Sequence, residues 1–176
     1  MNKFFGHLRT VTKHRHLVRK YCFKCGLYKQ GLTHDLSKYS LAEFIPGVKF
    51  FTGKCSPNDL ERAEKGYSAA WLHHKGRNRH HWEYWRDVKK GEGYKAVKMP
   101  LKYTAEMLCD RIAACRVYHG KDYTQRDAYD YFISSRAPKE MHPETAQKLT
   151  RWLELVRDEG EDRAFAKVKR ELRASK

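Results

Sequence analysis

The sequence predicts an all-α, single-domain protein, and three observations support this. Apolar residues recur at three- and four-residue steps in one segment after another, which is the period of a helix. Helix start and stop signals separate these segments, among them Gly26, Ser56-Pro57 and Gly160. Strand-like alternation is absent, and a chain of 176 residues forms one domain with a sizeable core.

Composition narrows the functional classes. The hydrophobic content of 40% is that of a globular protein, and the formal net charge of +16 implies attraction to polyanions such as nucleotides, nucleic acid or an acidic surface. No apolar run approaches the roughly 18 to 20 residues of a membrane helix, and the N-terminal residues do not resemble a secretory signal. We therefore expect a cytoplasmic protein without membrane association, in which the five cysteines are thiols.

The first predicted helix runs from about Phe4 to Cys25. Its apolar stripe comprises Phe4, Leu8, Val11, Val18, Cys22 and Cys25. His14 fills the gap in this stripe and His7 lies beside it one heptad earlier, whereas His16 faces water. Either inward histidine is a hydrogen-bonded core residue or a metal ligand. Cys22 and Cys25 have the spacing of a zinc or redox pair, but their position on the stripe favours small buried side chains.

Gly26 ends this helix, and a short segment leads to His34-Asp35. The sequence Ser40-Leu41-Ala42-Glu43 is that of a capping box, which predicts a helix from just after Lys38 to Pro46 or slightly beyond. The His-Asp pair therefore stands at the end of one element, before a break. An imidazole and a carboxylate in adjacent positions can close on a single metal ion.

A further helix is predicted to start at Ser56-Pro57, where a capping serine precedes a proline. Its buried stripe comprises Leu60, Ala63, Tyr67, Ala70 and Trp71. His74 continues this stripe and His73 lies beside it, so both imidazoles are expected to point inward. Residues 80–88 are then predicted to form a short helix, one face of which carries His81, Trp82, Trp85 and Val88.

Residues 73–81 contain four of the ten histidines of the chain. The alternative to a buried cluster is a polar surface patch. Surface patches of basic proteins favour Lys and Arg, and tryptophans surround these histidines in the sequence. We therefore favour a buried position for these histidines.

Residues 89–98 are predicted to form an exposed loop, and Pro100 to start a helix in which Asp110 falls on an apolar stripe. A buried carboxylate costs several kcal/mol unless it is paired or bound to metal. A neighbouring arginine is one explanation for Asp110, and metal ligation is the favoured one. Later helices are predicted from Thr124, from His142-Pro143 and after Gly160. We expect residues 1–137 to form the main domain and residues 138–176 a basic helical extension packed on it.

In their order along the chain, these residues resemble the HD-domain superfamily of metal-dependent phosphohydrolases, over roughly residues 1–118. The segment from His34 to Lys38 is similar to the superfamily's His-Asp-x-x-Lys motif, and residues 108–112 resemble the segment that carries its final aspartate, here Asp110. His14 resembles its first-helix histidine, with His7 as a rival. Residues 72–85 are similar to a small, largely uncharacterised HD-like branch.

The resemblance implies a helical bundle that holds one or two divalent ions of Mn, Fe, Co, Ni or Zn and hydrolyses an anionic phosphate ester, with a nucleotide as the expected substrate. The candidate metal ligands are His14, His34, Asp35, His73, His74, His80, His81 and Asp110. Asp35 is expected to bridge two ions, and Lys38 to neutralise a phosphate oxygen. Arg77 and Arg79 are candidates for binding the substrate phosphate, or are ordinary surface charges.

The sequence is compatible with two other functions. Some members of the superfamily use a di-iron centre to oxidise substrates. The other alternative is a basic helical protein that binds nucleic acid without catalysis and whose histidines are structural.

Overall fold

The computed structural model describes residues 2–175 and confirms the all-α, single-domain fold. The α-helices are α1 (Lys3–Lys24), α2 (Tyr28–Thr33), α3 (Leu41–Lys49), α4 (Pro57–Lys65), α5 (Ala69–Arg77), α6 (Leu101–His119), α7 (Asp127–Ser134), α8 (Ala137–Glu140), α9 (Pro143–Glu159) and α10 (Glu161–Ala174). Short 3-10 helices cover Leu36–Tyr39, Trp82–Tyr84 and Gly120–Asp122. Strands β1 (Arg86–Lys89) and β2 (Gly93–Ala96) pair in an antiparallel hairpin.

Helix α6 lies at the centre of the fold and packs against α1, α7 and α9. A single cluster of buried apolar side chains connects these helices with α10, and includes Val18, Leu108, Ile112, Phe132, Leu149, Trp152 and Phe165. Residues 138–175 therefore share one core with the rest of the described chain. Within residues 2–175, no helix has both the length and the apolar character needed to cross a membrane.

Helix α1 forms much as the sequence predicts. The Asn2 side chain caps its first turn by accepting from the Phe4 N–H at 2.9 Å, and Gly26 follows its end with φ of +78°. Cys22 and Cys25 are buried thiols, as expected. The prediction was wrong for Phe4, which is 45% exposed because it lies in the first turn, at the edge of the domain, and packs edge-on against Phe44.

The helix predicted to run from Ser56-Pro57 through His74 is two helices, α4 and α5. Gly66 adopts a left-handed conformation with φ of +79°, which ends α4, and Tyr67 at the break is 56% exposed rather than buried. Buried Glu61 joins the two helices, since its carboxylate accepts from the Ser68 hydroxyl at 2.7 Å and from the Ala70 N–H at 3.3 Å.

The predictions for residues 80–98 were also wrong in part. The expected short helix is a turn followed by a 3-10 helix and β1, and the expected loop contains β2. Val88 is 61% exposed and lies opposite Tyr94 in the hairpin. Four-residue strands are too short to give a recognisable alternation, and both faces of this hairpin are largely exposed, so no apolar pattern marks it.

Candidate metal centre

Asp35 lies at the centre of the histidine cluster and has an unusual backbone. It is the single non-glycine residue within residues 2–175 with a positive φ, 52°. Aspartate tolerates this left-handed conformation better than most residues do, and such conformations cluster at functional sites. The Asp35 side chain is 1% exposed, whereas that of the next residue, Leu36, points to solvent.

One oxygen of Asp35 faces a group of residues that we call the first ligand set: His14 on α1, His34 at the end of α2 and Asp110 on α6. Asp35 Oδ2 lies 3.8 Å from His14 Nε2 and 3.5 Å from His34 Nε2. Asp110 Oδ1 closes the group at 3.0 Å and 3.6 Å from the same two nitrogens. These side chains are close enough together to hold one metal ion.

The other oxygen of Asp35 faces the second ligand set: His74 near the end of α5, and His80 and His81 in the turn that follows. Asp35 Oδ1 lies 3.3 Å from His74 Nε2 and 3.4 Å from His80 Nε2. The His81 ring lies 4.1 Å from the His80 ring and 4.7 Å from the His74 ring, centroid to centroid. This group with Asp35 is likewise able to hold a metal ion.

Several atoms of the two sets are buried without a hydrogen-bond partner among the described residues. They are His34 Nε2, His80 Nε2, His81 Nε2 and Asp35 Oδ1. Native proteins rarely leave buried polar atoms unpaired, since each costs roughly 1–3 kcal/mol. Imidazole and carboxylate donors that converge in this way fit a divalent transition metal, which would satisfy these atoms.

Two further carboxylates orient the histidines by contacting the Nδ1 side of the rings, away from Asp35. Glu106 Oε1 accepts from His34 Nδ1 at 2.9 Å and lies 3.3 Å from His80 Nδ1. Glu43 Oε2 accepts from His74 Nδ1 at 2.7 Å. A proton on Nδ1 leaves the Nε2 lone pair directed at Asp35, and such outer carboxylates fix the tautomer of metal-binding histidines.

Sequence reasoning missed both glutamates. Glu43 was assigned to a capping box, but the Ser40 side chain makes no capping bond to α3 and its hydroxyl is buried without a partner. Glu106 precedes Asp110 by one helical turn on a buried face of α6. A second acidic residue within that apolar stripe was the available signal for Glu106.

Charge differs between the two ligand sets. Burial lowers the pKa of His34, but the carboxylates of Asp35, Asp110 and Glu106 outweigh burial and hold this pKa well above its ordinary value. Burial raises the pKa of Asp35 and of Asp110, yet neighbouring imidazoles hold both well below their usual range. In the second set, burial is the largest influence and the pKa values of His74 and His81 are lowered.

Two predictions about the histidines need correction or refinement. His73 is not part of either ligand set; it donates from Nδ1 to Glu43 at 2.7 Å, because its position on α5 directs it to α3. His7, the rival of His14, packs against Gly47 and Phe44. Burial lowers the pKa of His7 to about 4. The structure brings His14, and not His7, to Asp35.

A cavity of about 540 Å³ opens beside the cluster. Its cationic lining residues are Lys38, Arg111 and Arg136, and its aromatic ones include Trp71, Tyr118 and Tyr131. Lys38 Nζ lies 3.5 Å from Asp35 Oδ2. Within residues 2–175, the buried Nε of Arg111 has no acceptor, and the guanidinium lies 4.9 Å from the centroid of the Phe132 ring.

The two arginines predicted to bind phosphate lie elsewhere. Arg77 and Arg79 are exposed, and neither is among the cavity-lining residues. Arg79 instead donates to the Tyr103 hydroxyl at 3.4 Å. The turn that carries the histidines directs His80 inward, and its neighbour Arg79 therefore points outward.

The fold and the site define an all-α protein with a buried cluster of histidines and carboxylates that is able to hold a metal ion. The chain belongs to the family of unknown function DUF5662, whose profile matches residues 3–155. The matched span contains both ligand sets together with Glu43 and Glu106. Searches of the curated proteins and of the solved structures found no match.

Proposed function

We propose that this protein is an HD-type phosphohydrolase that depends on divalent metal ions and acts on a small anionic phosphate ester, with a nucleotide as the expected substrate. One observation carries the proposal. The two oxygens of the buried Asp35 carboxylate face two separate groups of metal-ligand side chains, at 3.3 to 3.8 Å from their imidazole nitrogens. A carboxylate in this position is suited to bridge two ions.

The first ligand set offers two imidazoles and a carboxylate besides Asp35, and the second offers three imidazoles. Such mixed donors suit Mn, Fe, Co, Ni or Zn ions. Divalent ions in sites of this kind supply a water of lowered pKa and positive charge for the oxygens of a phosphoryl group. The cytoplasm, where we expect the protein, provides both nucleotides and these metals.

The chain itself supplies positive charge for the substrate through Lys38 and Arg111. Burial lowers the pKa of Lys38, but Asp35 and Asp110 outweigh burial, so the ammonium group stays protonated. Arg111 follows Asp110 on α6 and has a buried N–H group that lacks an acceptor among residues 2–175. We assign the binding of the phosphate to these two residues, in place of Arg77 and Arg79.

The cavity fits the organic part of a small ester. Its volume of about 540 Å³ is within the range of small-molecule sites, which is roughly 300–1,000 Å³. Trp71, Tyr118 and Tyr131 present aromatic surface to the cavity, which favours a substrate with a flat apolar group such as a nucleobase.

The proposal is tested by elemental analysis and by assays of phosphate release, both with untagged protein from cells grown with transition metals. We expect wild-type protein to carry one or two equivalents of metal and to release phosphate from mononucleotides or p-nitrophenyl phosphate, and Asp110→Ala to lose both properties. Arg111→Ala should retain the metal and raise KM at least about tenfold through loss of a charged hydrogen bond. Arg77→Ala, the matched control, should behave like wild type.

Two outcomes would contradict hydrolysis. A protein that binds no metal even after reconstitution would favour a non-catalytic basic binder. A protein that contains iron, consumes oxygen with a substrate and releases no phosphate would favour the oxidative alternative.

A further inference from the structure

The outward face of α1 carries a row of basic residues, Arg9, Lys13, His16 and Lys20, which we call the α1 basic stripe. Steps of four, three and four residues keep these side chains on one face of a helix. All are exposed, and they lie opposite the buried face of α1 that carries Val11 and Val18. At 1.5 Å per residue the stripe is about 17 Å long.

The stripe differs from an ordinary solvated helix face, on which acids and bases alternate. Residues 3–24 include seven lysines and arginines and no aspartate or glutamate. No ion pair formed within residues 2–175 includes Arg9, Lys13 or Lys20. Like charges four residues apart destabilise a helix slightly, so stability does not explain the arrangement.

Several basic residues around the hairpin, in contrast, form ion pairs. Lys89 and Lys95 both form ion pairs with Glu92, and Lys98 forms one with Glu144. Residues 86–98 contain five lysines and arginines, and four of these five form ion pairs. Unpaired positive charge is therefore more concentrated on the α1 basic stripe than around the hairpin.

We propose that the α1 basic stripe binds the phosphate backbone of nucleic acid. A straight row about 17 Å long, with three lysine and arginine side chains that form no ion pair within residues 2–175, complements a polyanion with regularly spaced phosphates. A membrane surface fits less well, because an interfacial helix needs an accessible apolar face and the apolar face of α1 is buried in the core. Phe5 is an exposed apolar residue at one end of the row.

This binding is independent of the proposed hydrolysis. His14 projects from α1 toward Asp110 on α6, whereas the stripe faces solvent on the other side of the helix. Loss of binding at the stripe should therefore leave the metal content and any phosphatase activity unchanged.

The test is fluorescence anisotropy with a short labelled DNA duplex of mixed sequence over a series of KCl concentrations. We expect wild-type protein to bind with roughly micromolar affinity at low salt. A plot of log K against log salt has a negative slope. The variant Arg9→Gln/Lys13→Gln/Lys20→Gln should make this slope less steep by roughly 2 to 3, since each lost phosphate contact contributes about 0.9.

The matched control is Lys89→Gln/Lys95→Gln/Lys98→Gln, which removes the same net charge from paired lysines and should change the slope by less than about 1. Equal losses in the two variants would overturn the proposal by showing an effect of net charge alone. It would also be overturned if wild-type protein failed to bind the duplex, whether or not it bound vesicles of phosphatidylcholine and phosphatidylserine. Circular dichroism should be the same for all three proteins.

Discussion

The two ligand sets on either side of Asp35 differ in their origin and in their chemistry. The first set comes largely from α1 and α6, two long helices that pack against each other in the core. The second set comes from the last turns of α5 and the turn after it. Two carboxylates and two imidazoles surround the first position, whereas three imidazoles and one carboxylate oxygen surround the second.

From this difference we expect the two positions to take up a metal unequally. His34 in the first set holds a proton, because its neighbouring carboxylates raise its pKa, and an ion must displace that proton. The lowered pKa values of His74 and His81 leave these two imidazoles of the second set neutral. The first set is better fixed by the core, and the second is richer in nitrogen. Asp35, Glu106 and Asp110 connect the two sets, since each of them also lies within 4.0 Å of a His80 nitrogen.

The largest effect is expected from Asp35→Asn, which removes the shared carboxylate and keeps its shape. Asparagine also tolerates a positive φ, so the turn should persist. We expect both metal equivalents and all phosphatase activity to be lost, as measured by elemental analysis and phosphate release. His80→Ala should remove the ion of the second set alone. Retention of one equivalent in Asp35→Asn would show that one of the two sets holds its ion without this carboxylate.

A smaller effect is expected from the two outer carboxylates, which act on different ligands. Glu106→Gln disturbs His34 and His80, one from each set, and should weaken metal binding at both positions by about 10- to 100-fold. Glu43→Gln disturbs His74 and should weaken the second position alone.

Competition with a chromophoric chelator measures both effects, provided that circular dichroism of the variants matches that of wild type. If Glu43→Gln weakened both positions equally, the explanation that Glu43 acts only through His74 would be wrong.

The smallest effect on the metal centre is expected from Gly47→Ala on α3, the helix that carries Glu43. A Cβ at this position would lie 2.3 Å from His7 Nε2, so the buried ring or the helix has to shift. We expect a loss of about 1–3 kcal/mol in the free energy of unfolding, measured in urea, and a slight weakening of the second position.

Gly76→Ala on α5 is the matched control, because a Cβ there meets no atom within 4 Å. It should leave stability unchanged or raise it by up to about 1 kcal/mol. A loss of stability in Gly76→Ala as large as that in Gly47→Ala would remove the steric explanation.

Local signals predicted the elements that depend on local physics. The period of Val11, Val18 and Cys22 predicted α1, Pro100 predicted the start of α6, and Gly26 predicted the end of α1. Gly66 was an equally local signal for the end of a helix, but it was missed because the apolar stripe of Leu60, Tyr67 and Ala70 continues across it. The hairpin at residues 86–96 was missed because neither of its faces is buried.

The sequence by itself determined the helical class and the residue types of the candidate centre, including His14, His34, Asp35 and Asp110, because helical period and buried polarity are visible in one dimension. Tertiary structure alone decided that Glu43 and Glu106 hold the histidines, that His73 lies outside both ligand sets, and that Arg111 rather than Arg77 lines the cavity. These roles depend on where side chains from distant helices meet. The packing of α3 against α5 and of α1 against α6 determines these contacts. The spacing of residues along the sequence does not encode them.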